Sequence, residues 1–562
     1  MADTRRTPGT GYPHDGDEAE DRPHPDEVHS AFTPPSGLPA APAPAEAEHP
    51  TSEFALPEGF RPPAQEAPGS AFRTPGDYPD FTPATGIPAV QLARRNAPWQ
   101  DRMRTMVRLP LSERPAPPER APRAEDEQGP PVPRVLDLTL RIGELLLAGG
   151  EGAEDVEAAM FGVAHAYGLD RCEPTVTFTL LSVTHQPSLV DDPVTLSRTV
   201  RRRGTDYTRL AAVYRLVADI TSDEEDVTLE EAYRRLAEMR RNRHPYSKNA
   251  LTLASGVLAG AAATLVGGGP VVFVLAALGA MLGDRLAWVG SSRGLPEFYQ
   301  FVSAAMPPAA IGVTVALLER HDLMHDVRAS AVVTGGLFAL IPGRALVAAV
   351  HDGLTGFYIT ASARLLEVVY LIVGIVCGVL MILYVGDRLG GALDPDQVYS
   401  SERPPIQLAA AMLLALAFCV LLQQERGTVL LATVNGGVAW LIYAVLAHTA
   451  DADPVFATVI AAGLVGLFGQ LMSRYQFVSA LPYVTAAIGP LLPGSATYYG
   501  LLNIAQGNVN GGFQYLSTAA ALALAIAIGV NLGGEVARLF ITTPGLESPL
   551  PGRRAAKRTR GF

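Results

Sequence analysis

From residue 249 onward the apolar positions stop alternating with polar ones and run together. Ten stretches read as membrane spans, with approximate limits 249–267, 270–288, 298–318, 328–344, 363–385, 405–423, 428–447, 454–472, 476–493 and 516–540. The criterion is length: about 20 mainly apolar residues cross a hydrocarbon core of about 30 Å. Upstream the period changes. Leu138, Ile142, Leu145 and Leu146 mark one helix face up to Gly149 and Gly150, and Val156, Ala159, Met160, Val163, Ala164 and Tyr167 mark a second that stops at Gly168. The alternation over 175–180 predicts a half-buried strand, with 193–201 as a partner strand. Leu210, Val213, Tyr214 and Val217 predict a third helix, and Thr228 with Glu231 forms a capping box that opens a fourth. Residues 1–134 are rich in Pro, Ala, Glu and Asp without a sustained apolar period, so they cannot bury enough surface to offset ordering entropy. Within them, 91–95 and 103–109 read as solvated linker or as short surface helices.

The expected fold is therefore mainly α, a polytopic helical membrane protein of about ten spans with a small cytoplasmic α+β domain. The domains are a disordered cytoplasmic tail (1–134), the α+β domain (135–245), two five-span halves (249–390 and 404–541) and a basic cytoplasmic tail (542–562).

The two halves share landmarks at one fixed spacing. Pro342, Gly343, Gly356 and Gly378 correspond to Pro493, Gly494, Gly507 and Gly529, each pair 151 positions apart (493 − 342). A Pro-Gly at the end of an apolar run, followed by a semi-polar stretch, outlines a broken or re-entrant segment. Occurring once in each half, it predicts a transporter whose site lies between two repeats. Five spans per half places the halves in opposite orientations, an inverted repeat. Phe301 and Phe477 begin similar tetrapeptides 176 apart (477 − 301), a competing register set aside in favour of the longer match.

Charge fixes the expected orientation. Arg240, Arg241, Arg243 and Lys248 precede the first span and Arg553, Arg554, Lys557, Arg558 and Arg560 follow the last, which predicts cytoplasmic termini and a multi-pass plasma-membrane protein. The net charge of −12 sits mainly in the N-terminal tail and argues against a nucleic-acid partner. Arg201–Arg203 reads as a charged loop facing acidic lipid or the tail. Cys172, Cys377 and Cys419 are too scattered for a disulfide framework or metal site, and no cofactor is expected. His165, Asp170, Ser182 and His185 invite a hydrolase reading, yet no G-x-S-x-G or H-E-x-x-H accompanies them; no Walker A motif occurs either, so a transporter rather than an enzyme is expected.

Leu138 through Gly150, Glu154 through Met160, and the run from Pro342 through Asp352 and Gly356 to Arg364 and Glu367 resemble the threonine/serine exporter family. The resemblance covers about 135–540 and implies a cytoplasmic domain, ten spans and export of threonine and serine driven by the proton motive force. Relatives split over two chains export dicarboxylates such as succinate, which stays open as an alternative, as does a membrane-anchored hydrolase or sensor acting through 135–243.

For an amphoteric solute, backbone N–H groups freed near Pro342–Gly343 and Pro493–Gly494, or Arg364, would hold the carboxylate, and Asp352 and Glu367 the ammonium or a coupled proton. Asp352 and Glu367 equally suit a solvated loop. Asn503 occupies the place matching Asp352, so the halves offer unequal charge. Gly356 completes the motif. Asn435, Gln470 and Asn531 are polar groups within spans, read as interhelical hydrogen-bonding residues with Asn435 retained as a candidate; Asp284, beside Arg285, suits snorkelling to the interface and a functional role equally. The expected partners are the amino acid, protons and lipid, with a homo-oligomer left open.

Overall fold

The computed structural model describes residues 99–108, 114, 131–188, 190–200, 204, 206–222, 226–241, 246–323, 327–390, 404–476 and 478–540. The tail before residue 99, the Arg201–Arg203 loop and the basic segment 542–562 lie outside the described residues.

The extramembrane domain opens earlier than the periodicity suggests. Helix α1 (Trp99–Val107) buries Trp99 and Met103 in the same core as α2 (Val132–Ala148) and α3 (Ala153–Ala166). Proline at the start of α2 has its missing N–H where none is needed. Strands β1 (Cys172–Val176), β2 (Leu180–His185) and β3 (Val194–Thr199) form one antiparallel sheet in the order β1-β2-β3. The single strand expected at 175–180 is instead a hairpin corner. The backbone N–H and the hydroxyl of Thr177 both donate to the Leu180 carbonyl at 2.9 Å, which ends β1 and starts β2. Helices α4 (Tyr207–Thr221) and α5 (Leu229–Arg241) close the domain, with Asp206 capping α4 through the Arg209 N–H and Thr228 accepting from the Glu231 N–H.

The membrane part follows as α6 (Lys248–Leu265), α7 (Pro270–Ser292), α8 (Glu297–Arg320), α9 (Ala329–Phe338), α10 (Gly343–Leu354) and α11 (Tyr358–Arg388). The second half is α12 (Pro404–Leu421), α13 (Arg426–Ala444) with a π-helical turn to Thr449, α14 (Pro454–Gln476), α15 (Leu481–Ala487), α16 (Gly494–Ala505) and α17 (Val509–Phe540). Seven of these, α7, α8, α11, α12, the extended α13, α14 and α17, are long and apolar enough to cross a bilayer. Of the ten spans expected from apolar length, these seven stand as long helices and 249–267 is the 18-residue α6. The segments 328–344 and 476–493 are broken instead, their helices being the 10-residue α9 and the 7-residue α15, the latter followed by a 3-10 turn at Gly489–Leu491. At 1.5 Å per residue, α9 covers about 15 Å, half a hydrocarbon core.

Small residues set the spacing of the long helices. Gly466 of α14 lies against the Val530 backbone and Gly533 of α17 against that of Gly463, so neither site has room for a Cβ. Asp284 of α7 accepts the Thr252 hydroxyl of α6, an interhelical bond in place of snorkelling. Leu278, Leu282 and Leu286 on α7 and Leu366, Val369 and Val373 on α11 point outward, as a lipid-facing surface requires.

Candidate functional site: a polar cavity under the extramembrane domain

The two breaks have nearly the same backbone. Pro342 sits at φ −78°, ψ 47° and Pro493 at φ −78°, ψ 51°. Gly343 donates to the Ile341 carbonyl and Gly494 to the Leu492 carbonyl, both at 2.8 Å. Each following half-helix ends alike: Gly356 (φ 97°) and Gly507 (φ 86°) take the left-handed conformation, which a side chain would strain. Phe357 bonds back to the Asp352 carbonyl at 2.8 Å and Asn508 to that of Asn503 at 2.9 Å. The 151-residue repeat thus extends to individual hydrogen bonds.

The breaks also touch. A Cβ on Gly343 would lie 2.6 Å from Leu492 Cδ2, and one on Gly494 2.7 Å from Phe338 Cδ2. The space beside them, lined by Leu337, Ile341, Ile375 and Tyr498, measures about 20 Å³ and is apolar. That is too small for an amino acid. The Gly343 and Gly494 N–H groups are already bonded within the breaks, so neither is free to hold a solute carboxylate there.

A much larger cavity, about 410 Å³, lies between the soluble-domain end of α10 and the helices α14, α15 and α17. His351 and Thr355 border it from α10, Gln470 from α14, Thr485 from α15, and Asn531 and Glu535 from α17. The extramembrane domain supplies the remaining wall, with Arg104 from α1, Arg108 just after it, and Glu151, Glu154 and Asp155 from the α2–α3 turn and α3. Arg104 pairs with Asp155 and Arg108 with Glu154 (2.6 Å).

Asp352 is fully buried at the edge of this junction, so the solvated-loop alternative does not hold for it. Its Oδ1 accepts the Ala153 N–H at 2.9 Å and its Oδ2 pairs with Arg364 at 3.0 Å. Arg364 also donates to the Glu151 carbonyl at 2.9 Å. The N-cap of α3 is Gly152, which has no side chain to offer the first turn. Asp352, from the membrane half, supplies the missing acceptor and the negative charge that a helix N-terminus favours.

Glu151 projects the other way. Its carboxylate accepts the Ser479 hydroxyl at 3.0 Å, while Ser479 Oγ accepts the Leu481 N–H at the start of α15. Burial pushes the Glu151 carboxyl up to about 7, against the pull of the Ser479 and Tyr214 hydroxyls and of Arg104 and Arg364. Glu157, on α3, is also raised to about 7 by burial and by the neighbouring Glu154. On the far wall His351 Nδ1 donates to Asn531 Oδ1, and Asn531 Nδ2 donates to the Ala527 carbonyl at 2.8 Å.

Of the residues picked from sequence, Asp352 and Arg364 stand together at the junction. Glu367 lies half-buried one turn beyond Arg364, away from the cavity lining. Asn435 is buried in α13 and donates to the Val465 (3.4 Å) and Tyr483 (3.5 Å) carbonyls. Asn503 is buried and bonds locally, to Tyr499 and Asn508. Gln470 and Asn531, read as packing residues, border the cavity, and sequence reasoning passed over Glu151, Glu154, Glu535 and Arg104. The hydrolase candidates do not assemble: Ser182 sits mid-sheet opposite Thr175 and Ser197, His165 stacks on Phe161, and among the described residues no hydrogen bond joins Ser182 to either histidine.

Long apolar helices, duplicated breaks and a cavity with charged and polar groups on an otherwise apolar wall define a multi-pass membrane protein with a docked α+β domain. Residues 137–386 match the family model of the threonine/serine exporters (ThrE), and residues 407–535 match a second, described as "Threonine/Serine exporter, ThrE". The chain is 33% identical over 409 residues to a Mycobacterium tuberculosis protein named "Probable threonine/serine exporter", spanning 71% of this chain and 76% of that one. It is 28% identical over 423 residues to the Corynebacterium glutamicum "Threonine/serine exporter", spanning 74% and 84%. No solved structure matches. The chain belongs to the threonine/serine exporter family, a family of transporters.

Proposed function

We propose that this chain exports threonine and serine through the cavity between α10, α14, α15 and α17, driven by the proton motive force. The observation that carries the reading is the cavity itself. About 410 Å³ suits a small amino acid, and its wall presents guanidinium, carboxylate, imidazole and amide groups within one space. Arg104 or Arg108 would meet the solute carboxylate, Glu151 or Glu535 its ammonium, and Asn531 or Gln470 its hydroxyl. The acidic excess, with both arginines already paired, disfavours a dicarboxylate such as succinate.

In this reading α9 with α10, and α15 with α16, each make one discontinuous crossing, giving ten crossings in two inverted halves. The extramembrane domain meets the C-terminal half-helix of the first break, through Asp352, and the N-terminal half-helix of the second, through Thr485. That exchange is what opposite orientation requires. The domain then lies in the cytoplasm with both termini, and Asp352 and Arg364 position the domain rather than bind solute. Proteoliposomes loaded with labelled threonine or serine test it: efflux should respond to an imposed proton gradient and collapse with a protonophore. Efflux of succinate in preference to threonine would reverse the substrate assignment.

A further inference from the structure

The short turn Gly149–Gly152 is held from three sides. Arg364 takes the Glu151 carbonyl at 2.9 Å and Asp352 the Ala153 N–H at 2.9 Å, both from the first half of the membrane part. Ser479, from the second half, takes the Glu151 carboxyl at 3.0 Å. Glu151 therefore ties both halves to the extramembrane domain while bordering the cavity.

The charges around it are committed elsewhere. Arg104 on α1 pairs with Asp155, Arg474 on α14 with Asp101 at 2.7 Å, and Arg364 on α11 with Asp352. From α4 comes the Tyr214 hydroxyl, which favours the charged form of Glu151, and from α10 His351, bonded to Asn531. Glu535 on α17 and Glu154 on α3 add negative charge to the same cavity. The Glu151 carboxyl thus lies buried among hydroxyl donors and acidic neighbours, with each nearby guanidinium holding a different carboxylate.

We propose that Glu151 is a proton-binding site that latches the extramembrane domain: its neutral carboxyl holds the turn between the two halves, and its ionisation releases the turn and widens the cavity. The proton leaves to water on the domain side and returns when the turn reseats. Docking then takes up one proton and undocking gives one back, so the latch responds to the pH of the water on the domain side. The proposal rests on the transport reading only for calling the cavity a passage.

The sign follows from the two environments. A seated Glu151 holds its proton up to about 7, and a released one ionises in the ordinary carboxylate range, so the seated state is favoured at low pH and loses ground as pH rises from that range toward 7, with no further loss above. Between pH 6 and pH 8 the seated-to-released ratio should fall about tenfold.

Hydrogen exchange of the full chain in lipid nanodiscs reads this directly at the peptide containing Ala153. Protection, corrected for intrinsic exchange, should fall about tenfold over that interval. In Glu151→Gln it should stay high and flat. A second readout is infrared: the neutral carboxyl absorption that titrates near neutrality should lose the Glu151 component in Glu151→Gln, the Glu157 component remaining. The same pH-dependent loss of protection in Glu151→Gln, or protection independent of pH in the native chain, would overturn the proposal. Neither readout involves an amino acid, so a wrong substrate assignment leaves both intact and shows only in the efflux assay.

Discussion

Asp352 accepts the backbone N–H of Ala153 at 2.9 Å, so a helix of the extramembrane domain is capped by a carboxylate belonging to the membrane part. The same carboxylate neutralises the buried Arg364 at 3.0 Å. Asp352→Ala removes cap and counter-charge together and strands a buried guanidinium, a loss of about 3–5 kcal/mol. The expected outcome is a marked fall in the thermal midpoint of the purified protein. Asp352→Leu combined with Arg364→Met should recover most of it, because replacing both charges leaves no unpaired one.

Gly152 lies against the His351 ring, and a Cβ there would stand 3.0 Å from Cδ2. Gly152→Val should force the α2–α3 turn off α10 at a cost of about 1–3 kcal/mol. Pairing it with His351→Ala should restore the midpoint, which checks that the clash is local.

The docking contacts differ in strength. Tyr207 is buried, donating from its hydroxyl to Thr485 at 3.2 Å and from its backbone to the Leu422 carbonyl at 3.1 Å. Arg215 reaches Glu425 with two bonds, at 2.5 and 3.0 Å, on an exposed edge. Tyr207→Phe should cost about 1 kcal/mol by leaving a buried hydroxyl without its donor. Arg215→Ala should change stability by roughly 0.5 kcal/mol or less, and that little should vanish in high salt. Denaturant titration of the two variants at two ionic strengths separates them.

Glu157 is held near 7 by burial and by Glu154, above its unfolded value. Folding therefore binds its proton more tightly, so this residue costs stability progressively as pH rises from its unfolded value toward 7, and by a constant amount above. Glu157→Gln should leave stability unchanged near pH 4 and raise it by about 1–2 kcal/mol at pH 8, allowing for partial exposure. A melting series across pH checks it.

Much of this architecture was legible in residue pattern because apolar runs and Pro-Gly breaks are local signals. The equivalence of Pro342 with Pro493 needed only spacing, and it held down to their backbone angles. Crossing length was misjudged at 328–344 and 476–493 because apolarity does not reveal where a helix stops; the proline–glycine turn does. The cavity was harder to find. Glu151 stands between two glycines and looks like any polar turn residue, and Arg104 lies in a segment whose neighbours are proline-rich and acidic. What gives both their surroundings is contact with Ser479 and Asp155, 328 and 51 positions away. Separation of that kind leaves no period to read. Asp155 is hidden from the sequence in the same way, its partner Arg104 lying on α1.

Leu492 fills the hollow of Gly343, and Phe338 and Ile341 fill that of Gly494. The halves are meshed like two gear teeth, so neither kink can straighten while the other stays still. Withdrawing one leucine from such a notch costs about 2 kcal/mol of apolar burial, a few times thermal energy. So light a catch couples the two kinks by packing alone, each holding the other in its present bend.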